Sequence, residues 1–202
     1  AQAHRRLGSK TTIIEGGELL NREDRDLAAV VREQLMADGV EIIENAKATR
    51  VEAKESGVRV MIGDRAVEGS HLLMAVGRKA TVDRLNLEAA GVKYDDQGIK
   101  TDDKLRTSNK RIYAIGDVAG GRQFTHVAGY HASVIVRNIL FKMPSKNNEH
   151  LAPRVTYCDP ELAQIGLTEM EARETMAGVK VVKWLFEEND RAITEKDTRG
   201  FV

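Results

Sequence analysis

Leu105-Arg106-Thr107-Ser108, followed after Asn109, Lys110 and Arg111 by Ile112-Tyr113-Ala114-Ile115-Gly116-Asp117-Val118-Ala119-Gly120, is the stretch that decides the fold of this 202-residue chain. Residues 112–115 form a short, largely apolar run that predicts a buried strand, and the run ends on a glycine and an acid. In a doubly wound α/β sheet, ligands bind outside the carboxyl ends of the strands, where a carboxylate can take a sugar hydroxyl. Gly116 carries no side chain to hold a ligand away from the backbone. By itself, Gly-Asp is more often an ordinary turn, so the reading depends on what surrounds it.

Working toward the N-terminus, a second acid stands in the same relation to a second run. Thr11-Thr12-Ile13-Ile14 is short, β-branched and apolar, and it ends at Glu15-Gly16-Gly17. At this position a nucleotide-binding fold places the acid that accepts both ribose hydroxyls of NAD, and a 2′-phosphate there would meet a carboxylate. Such an acid follows the phosphate-binding glycines by about 20 residues. Since 14 residues precede Glu15, those glycines are expected upstream of Ala1. From position alone, a solvated acid in a turn is the safer reading of Glu15.

The intervening segments fit alternating elements. Residues 1–7 read as the back half of a helix stopped by Gly8, and Asn21 is placed to cap a helix whose Leu27, Val30, Val31 and Leu35 recur at helical spacing before Asp38-Gly39. Residues 40–43 predict a second short strand. Three further strands are expected over 49–53, 58–62 and 71–76, an antiparallel meander whose last member returns to the parallel sheet. Residues 81–111, polar and rich in breakers, predict a crossover between domains. Residues 126–141 predict a helix with Val127, Tyr130, Val134 and Leu140 on one face. Beyond a linker over 143–148, strands over 155–157 and 179–186 are expected to flank a short helix at 168–176. The last residues, 200–202, read as the opening of a strand, so the natural chain is expected to extend past both ends.

Composition narrows the function classes. The chain carries 31 basic and 31 acidic residues, so no excess positive field draws it to nucleic acid or an anionic membrane. No apolar run of about 18 residues occurs, and no signal-peptide pattern opens the sequence. Cys158 is the only cysteine, which excludes an internal disulfide, and with no Cys/His cluster of ligand spacing around it a metal site is not expected. These features fit a cytoplasmic protein with a small-molecule partner.

The phrase from Leu105 to Gly120 resembles the second FAD motif of the pyridine nucleotide–disulfide oxidoreductases, the family that includes dihydrolipoyl dehydrogenase, glutathione reductase and mercuric reductase. The resemblance extends along nearly all of the chain. It implies doubly wound α/β nucleotide-binding domains, both partial, and the start of an α+β dimerisation domain: residues 1–77 from the NAD-binding domain, 78–149 from the FAD-binding domain and 150–202 from the interface domain. It further implies that Asp117, beside Gly116, binds the flavin's ribityl chain and that Gln123-Phe124-Thr125-His126 passes close to the isoalloxazine ring. By the same resemblance, the following helix points its N-terminus at the flavin, Glu15 is the NAD ribose acid, Ala48 packs against adenine and Gly77 in Ala75-Val76-Gly77-Arg78 approaches the nicotinamide. The entry to the dimerisation domain is matched by Val155-Thr156-Tyr157, Asp159-Pro160-Glu161 and Ile165-Gly166-Leu167-Thr168-Glu169, with Asn189-Asp190-Arg191-Ala192 as a later phrase. The intact protein is then expected to be a homodimer that passes electrons from NADH through FAD to a cysteine pair, and on to a disulfide or a thiophilic metal ion.

Two departures limit the assignment. The family's redox cysteine pair and its C-terminal His/Glu pair are both missing from these 202 residues, so no catalytic residue is assigned. Cys158 reads as a packed thiol. Thr125-His126-Val127-Ala128-Gly129-Tyr130 is closer to the mercuric-reductase-like branch than to dihydrolipoyl dehydrogenases. His126 is read as a flavin neighbour acting through its backbone, with a satisfied buried histidine as the alternative. His4, His71, His131 and His150 read as surface or packing residues, and Trp184 as core or interface. Two rival functions stay open: a flavin NADH oxidase or ferredoxin-reductase-like enzyme with no dithiol relay, and a folded fragment without turnover.

Overall fold

The computed structural model describes residues 1–202, which divide into two compact units: residues 1–74 with 155–202, and residues 75–154.

The first unit opens with a short helix α1 (Gln2–Arg6), strand β1 (Thr12–Ile14), helix α2 (Arg25–Ala37) and strand β2 (Glu41–Ile43). β1 and β2 are parallel and paired in register, with Ile13 opposite Ile42. The apolar spacing seen in the sequence turns Val31 and Leu35 of α2 inward, where they pack with Val40 and Leu162 and against Ile13, Leu27 and Ile42. The helix begins three residues later than Asn21 would set it: Leu20 is left-handed (φ +57°) and its carbonyl accepts the Glu23 N–H. The chain therefore makes a further turn, and Asp24 becomes the cap, accepting the Asp26 N–H at 3.0 Å.

The meander exists, but its third strand is not the expected one. β3 (Arg50–Lys54), β4 (Gly57–Ile62) and β5 (Arg65–Gly69) form the antiparallel sheet around buried Val60. Residues 71–76 form no strand, and Val76 is 95% exposed. Arg65-Ala66-Val67 lies directly across the Gly63-Asp64 turn and takes the ladder first, so the more apolar run that follows is left without a neighbouring strand in the chain.

The C-terminal part of this unit contains β8 (Arg154–Thr156) paired with β9 (Leu162–Gln164), then α4 (Glu169–Thr175) and α5 (Asp190–Glu195). Thr168 and Glu171 close a capping box on α4, and Asn189 caps α5 through the Ala192 N–H. The strand expected over 179–186 is reduced to a single bridge, Leu185 to Phe201, flanked by hydrogen bonds between Trp184 and Val202. Trp184 itself is half exposed, which removes it from the core.

In the second unit, the supposed crossover over 81–111 proves to hold a core. Ala80, Val82, Leu87, Val92, Ile99 and Ala114 are buried together, and β6 (Tyr94–Asp95) and β7 (Gly98–Ile99) form a small hairpin within it. Apolar residues this sparse match neither a period of 2 nor of 3.6, which is why no element was expected there. Residues 112–115 form no extended strand either. Tyr113 makes an isolated bridge to Arg106, the Ala114 N–H donates to the Leu105 carbonyl, and Ile115 is partly exposed. Helix α3 (Thr125–Ile139) follows as expected, with Val127 and Val134 fully buried; Leu140, however, lies beyond its end and is 70% exposed, and its place on the inner face is taken by His131.

Candidate functional site

The turn carrying Asp117 is a single 3-10 turn, Gly116–Ala119, held by its neighbours on two sides. Gly116 has φ +67°, and a Cβ there would stand 3.0 Å from the Ala128 Cβ on α3. Close approach does require a glycine at this position, though within the protein it is α3 that comes near. On the other side, β7 lies so close that a Cβ on Gly98 (φ +136°) would fall 2.4 Å from the Val118 carbonyl oxygen. Asp117 is thereby presented on a rigid corner with more than half of its side chain in solvent.

Arg78, named above only as the last residue of Ala75-Val76-Gly77-Arg78, reaches this corner. Its guanidinium lies 3.7 Å from the Asp117 carboxylate and donates to the Gln123 carbonyl at 2.7 Å. It therefore ties the acid to the entrance of α3. As an exposed ion pair it adds little stability, but it fixes the spacing between two segments that carry candidate ligand contacts. Gln123 and Phe124 are half-buried, Thr125 is exposed, and the Phe124 and His126 rings stack at 5.2 Å. The His126 Nε2 donates to the Pro153 carbonyl at 2.7 Å, so its ring is engaged within the protein. The first turn of α3 has no side-chain cap. Its orphan N–H groups and positive dipole end remain for a ligand oxygen or a developing negative charge.

Behind the corner lies a polar cluster that sequence reasoning passed over as packing. His131, fully buried, accepts the Gly116 N–H at Nδ1 (3.1 Å) and donates from Nε2 to Glu149 (3.0 Å). Glu149 also accepts the Arg122 N–H and the Asn147 side-chain amide. Burial opposes ionisation of Glu149, but Asn147, the Arg122 N–H and His131 together outweigh it and hold its carboxyl below the usual range. A histidine on an apolar face carries no sign in the sequence that a glutamate 18 residues away will meet it.

In the first unit, Glu15 leaves β1 half-buried, its N–H donating to the Ile43 carbonyl and its carboxylate accepting the Gly17 N–H at 3.1 Å. This places the acid at the carboxyl end of a parallel strand and leaves its second oxygen for a diol. Glu44, at the end of the neighbouring strand, was not anticipated: it accepts the Leu19 N–H at 2.9 Å and pairs with Arg32 at 2.8 Å, two contacts that hold its carboxyl below the usual range. Ala48 is exposed just before β3. Gly77, in the second unit, is exposed with nothing within 4 Å of the point where a side chain would begin.

Gly116, Asp117, Gln123, Phe124, Thr125 and His126 thus share one corner and one helix start, while Glu15 and Ala48 belong to the other unit. No group of His, Cys, Asp and Glu side chains is arranged to hold a metal ion. Cys158 donates its thiol hydrogen to the Pro160 carbonyl at 3.0 Å, and burial pushes its pKa up, the opposite of what a nucleophile needs.

Residues 1–132 match the family model of pyridine nucleotide-disulphide oxidoreductases, and residues 152–202 match the dimerisation domain of that family. The chain is 35% identical to dihydrolipoyl dehydrogenase of Geobacillus stearothermophilus over 206 residues, which cover 99% of the chain and 44% of that protein. It is 36% identical to mercuric reductase of Bacillus cereus, covering 98% of the chain and 32% of that protein. The fold superposes on the Cu(II) complex of the HOCl-induced flavoprotein disulfide reductase RclA of Escherichia coli with a TM-score of 0.90 at 32% identity, covering 99% of this chain and 47% of that one. For LpdA of Mycobacterium tuberculosis the TM-score is 0.91 at 28% identity, with 99% and 44% coverage. The chain spans less than half the length of these relatives.

Proposed function

Because this chain belongs to the pyridine nucleotide-disulphide oxidoreductase family, we propose that it is part of an FAD-dependent oxidoreductase that takes electrons from NADH and delivers them through a redox cysteine pair, outside these residues, to a disulfide or a thiophilic metal ion. The observation that carries this reading is the Asp117 corner: an exposed acid on a turn fixed from two sides, with an uncapped helix start a short loop further on.

The residues present fit a flavin. Asp117 offers an acceptor to a ribityl hydroxyl, a charge-assisted bond on a turn already rigid before the ligand arrives. Arg78 keeps the Asp117 carboxylate and the Gln123 backbone in register. The first turn of α3 presents N–H donors that would stabilise negative charge near them. When bound, FAD supplies the two-electron chemistry that links nicotinamide to dithiol. On the other unit, Glu15 accepts the hydroxyls of the adenosine ribose and disfavours a 2′-phosphate. Ala48 leaves room beside the adenine, and Gly77 leaves the nicotinamide side unobstructed.

In this reading residues 1–77 belong to the NAD-binding domain, 78–149 to the FAD-binding domain and 150–202 to the dimerisation domain of a cytoplasmic homodimer. The test is to compare Asp117→Ala and Glu15→Ala in the full-length protein. Asp117→Ala is expected to lose FAD on dialysis, with affinity reduced about tenfold to a hundredfold, since a hydrogen bond to a charged group contributes roughly 1.5–3 kcal/mol. Glu15→Ala should keep its flavin and bind NADH more weakly. Flavin retained by Asp117→Ala at the wild-type level would remove the corner from the cofactor site.

A further inference from the structure

The Asp117 corner is held from inside by bonds to both ends of its loop. At one end the Gly116 N–H donates to His131 Nδ1; at the other the Arg122 N–H donates to Glu149, and the Arg122 guanidinium donates to the Ala152 carbonyl. His131 and Glu149 are themselves joined at 3.0 Å. The loop is thus spanned by a strut of two side chains, one on α3 and one on the segment after it. Only one tautomer serves this strut: Nδ1 must be bare to accept from Gly116, so the ring hydrogen sits on Nε2 and is donated to Glu149. His131 has no exposed surface, so a Gly116 N–H deprived of this acceptor has no water to replace it.

We propose that His131 is a positioning residue for flavin binding, fixing through the Gly116 N–H the turn on which Asp117 meets the ribityl chain. The proposal rests on the flavin reading of the corner. The bond to Nδ1 fixes the direction of the buried Gly116 N–H, and Asp117 is the next residue. Glu149 in turn holds the ring in the required tautomer, as a carboxylate orients a ligating imidazole.

Two substitutions of similar polarity separate positioning from mere packing. In His131→Asn the amide oxygen stands near the place of Nδ1 and still accepts the Gly116 N–H. In His131→Gln the longer amide reaches toward Glu149, and the Gly116 N–H is left bare. In the full-length apoprotein titrated with FAD, the asparagine variant should bind within about threefold of wild type and the glutamine variant about tenfold or more weaker, the cost of one unpaired buried donor. Because the effect acts through Asp117, adding His131→Gln to Asp117→Ala should weaken FAD by less than about threefold further. Equal loss in the two single variants, including equal failure to fold, or an undiminished glutamine penalty in the Asp117→Ala background, overturns the proposal. Undiminished FAD affinity in Asp117→Ala alone overturns instead the flavin reading on which it rests.

Discussion

Glu15 and Cys158 show how far single residues can be read. Glu15 has one oxygen engaged by the Gly17 N–H and the strand end behind it fixed by Ile43. A 2′-phosphate brought to that place would be repelled by a carboxylate that cannot swing away without breaking its own turn. The full-length protein is therefore expected to show a higher kcat/KM for NADH than for NADPH, and Glu15→Gln should narrow the ratio by raising the NADPH value. Equal use of the two cofactors by the wild type would count against the role given to Glu15. Cys158 has the opposite profile: its thiol donates to a carbonyl, is pushed up in pKa by burial, and has Asp159 and Glu161 nearby to disfavour the thiolate further. Cys158→Ser should leave steady-state turnover within about twofold of wild type, since only an activated thiolate would contribute to catalysis. Loss of turnover in a folded variant would give this thiol a chemical role.

Among the elements, the junction of the 3-10 turn with α3 depends on one side chain being absent. Gly116 combines a left-handed backbone with a contact that an added methyl group would close to 3.0 Å. Gly116→Ala should cost about 1–2 kcal/mol from the backbone conformation alone, and the Ala128 contact adds to that by pushing α3 away from the turn. The measurable results are a lower melting temperature of the chain and weaker FAD binding by the full-length protein. Ala128→Gly in the same chain should restore part of the flavin affinity, because it removes the collision while the backbone strain remains. If flavin affinity is unchanged in Gly116→Ala, the distance between α3 and the corner does not matter to the cofactor.

For the chain as a whole, a charge network ties together parts far apart in sequence within the first unit. Arg6 of α1 bonds to Asp38 at the end of α2 and to Asp159 before β9, and Arg199 joins Asp159, Asp197 and Gln34. Arg6 first, then the Gln2 amide, holds the Asp38 carboxyl below its ordinary range; Arg6 does the same for Asp159, and Arg199 for Asp197. A carboxylate whose pKa falls on folding contributes stability above its unfolded value, and that contribution is lost as pH drops through the folded value. The unfolded values lie near 4, so the melting temperature should hold from neutral pH to about 5 and decline below about 4. Arg6→Gln should flatten that decline, as should high salt, since most of these side chains are partly exposed. An acid limb of the melting curve unaltered by Arg6→Gln would mean that other carboxylates govern it.

The sequence by itself determined the elements with strong local signals and the family to which they belong. The spacing of Leu27, Val31 and Leu35 made α2, and Val127 and Val134 made the inner face of α3. Those signals are legible because they repeat within a few residues, at the periods that backbone geometry imposes. Where two segments compete for one partner, local pattern is not enough: residues 65–69 displaced the more apolar 71–76 from the meander because they lay nearer the turn. Contacts between side chains distant in the chain were likewise decided only in three dimensions. His131 meets Glu149 across 18 positions, and Arg6 meets Asp159 across 153. A hydrogen bond or ion pair depends on where two side chains arrive after the elements have packed. No periodicity in the sequence records that arrival.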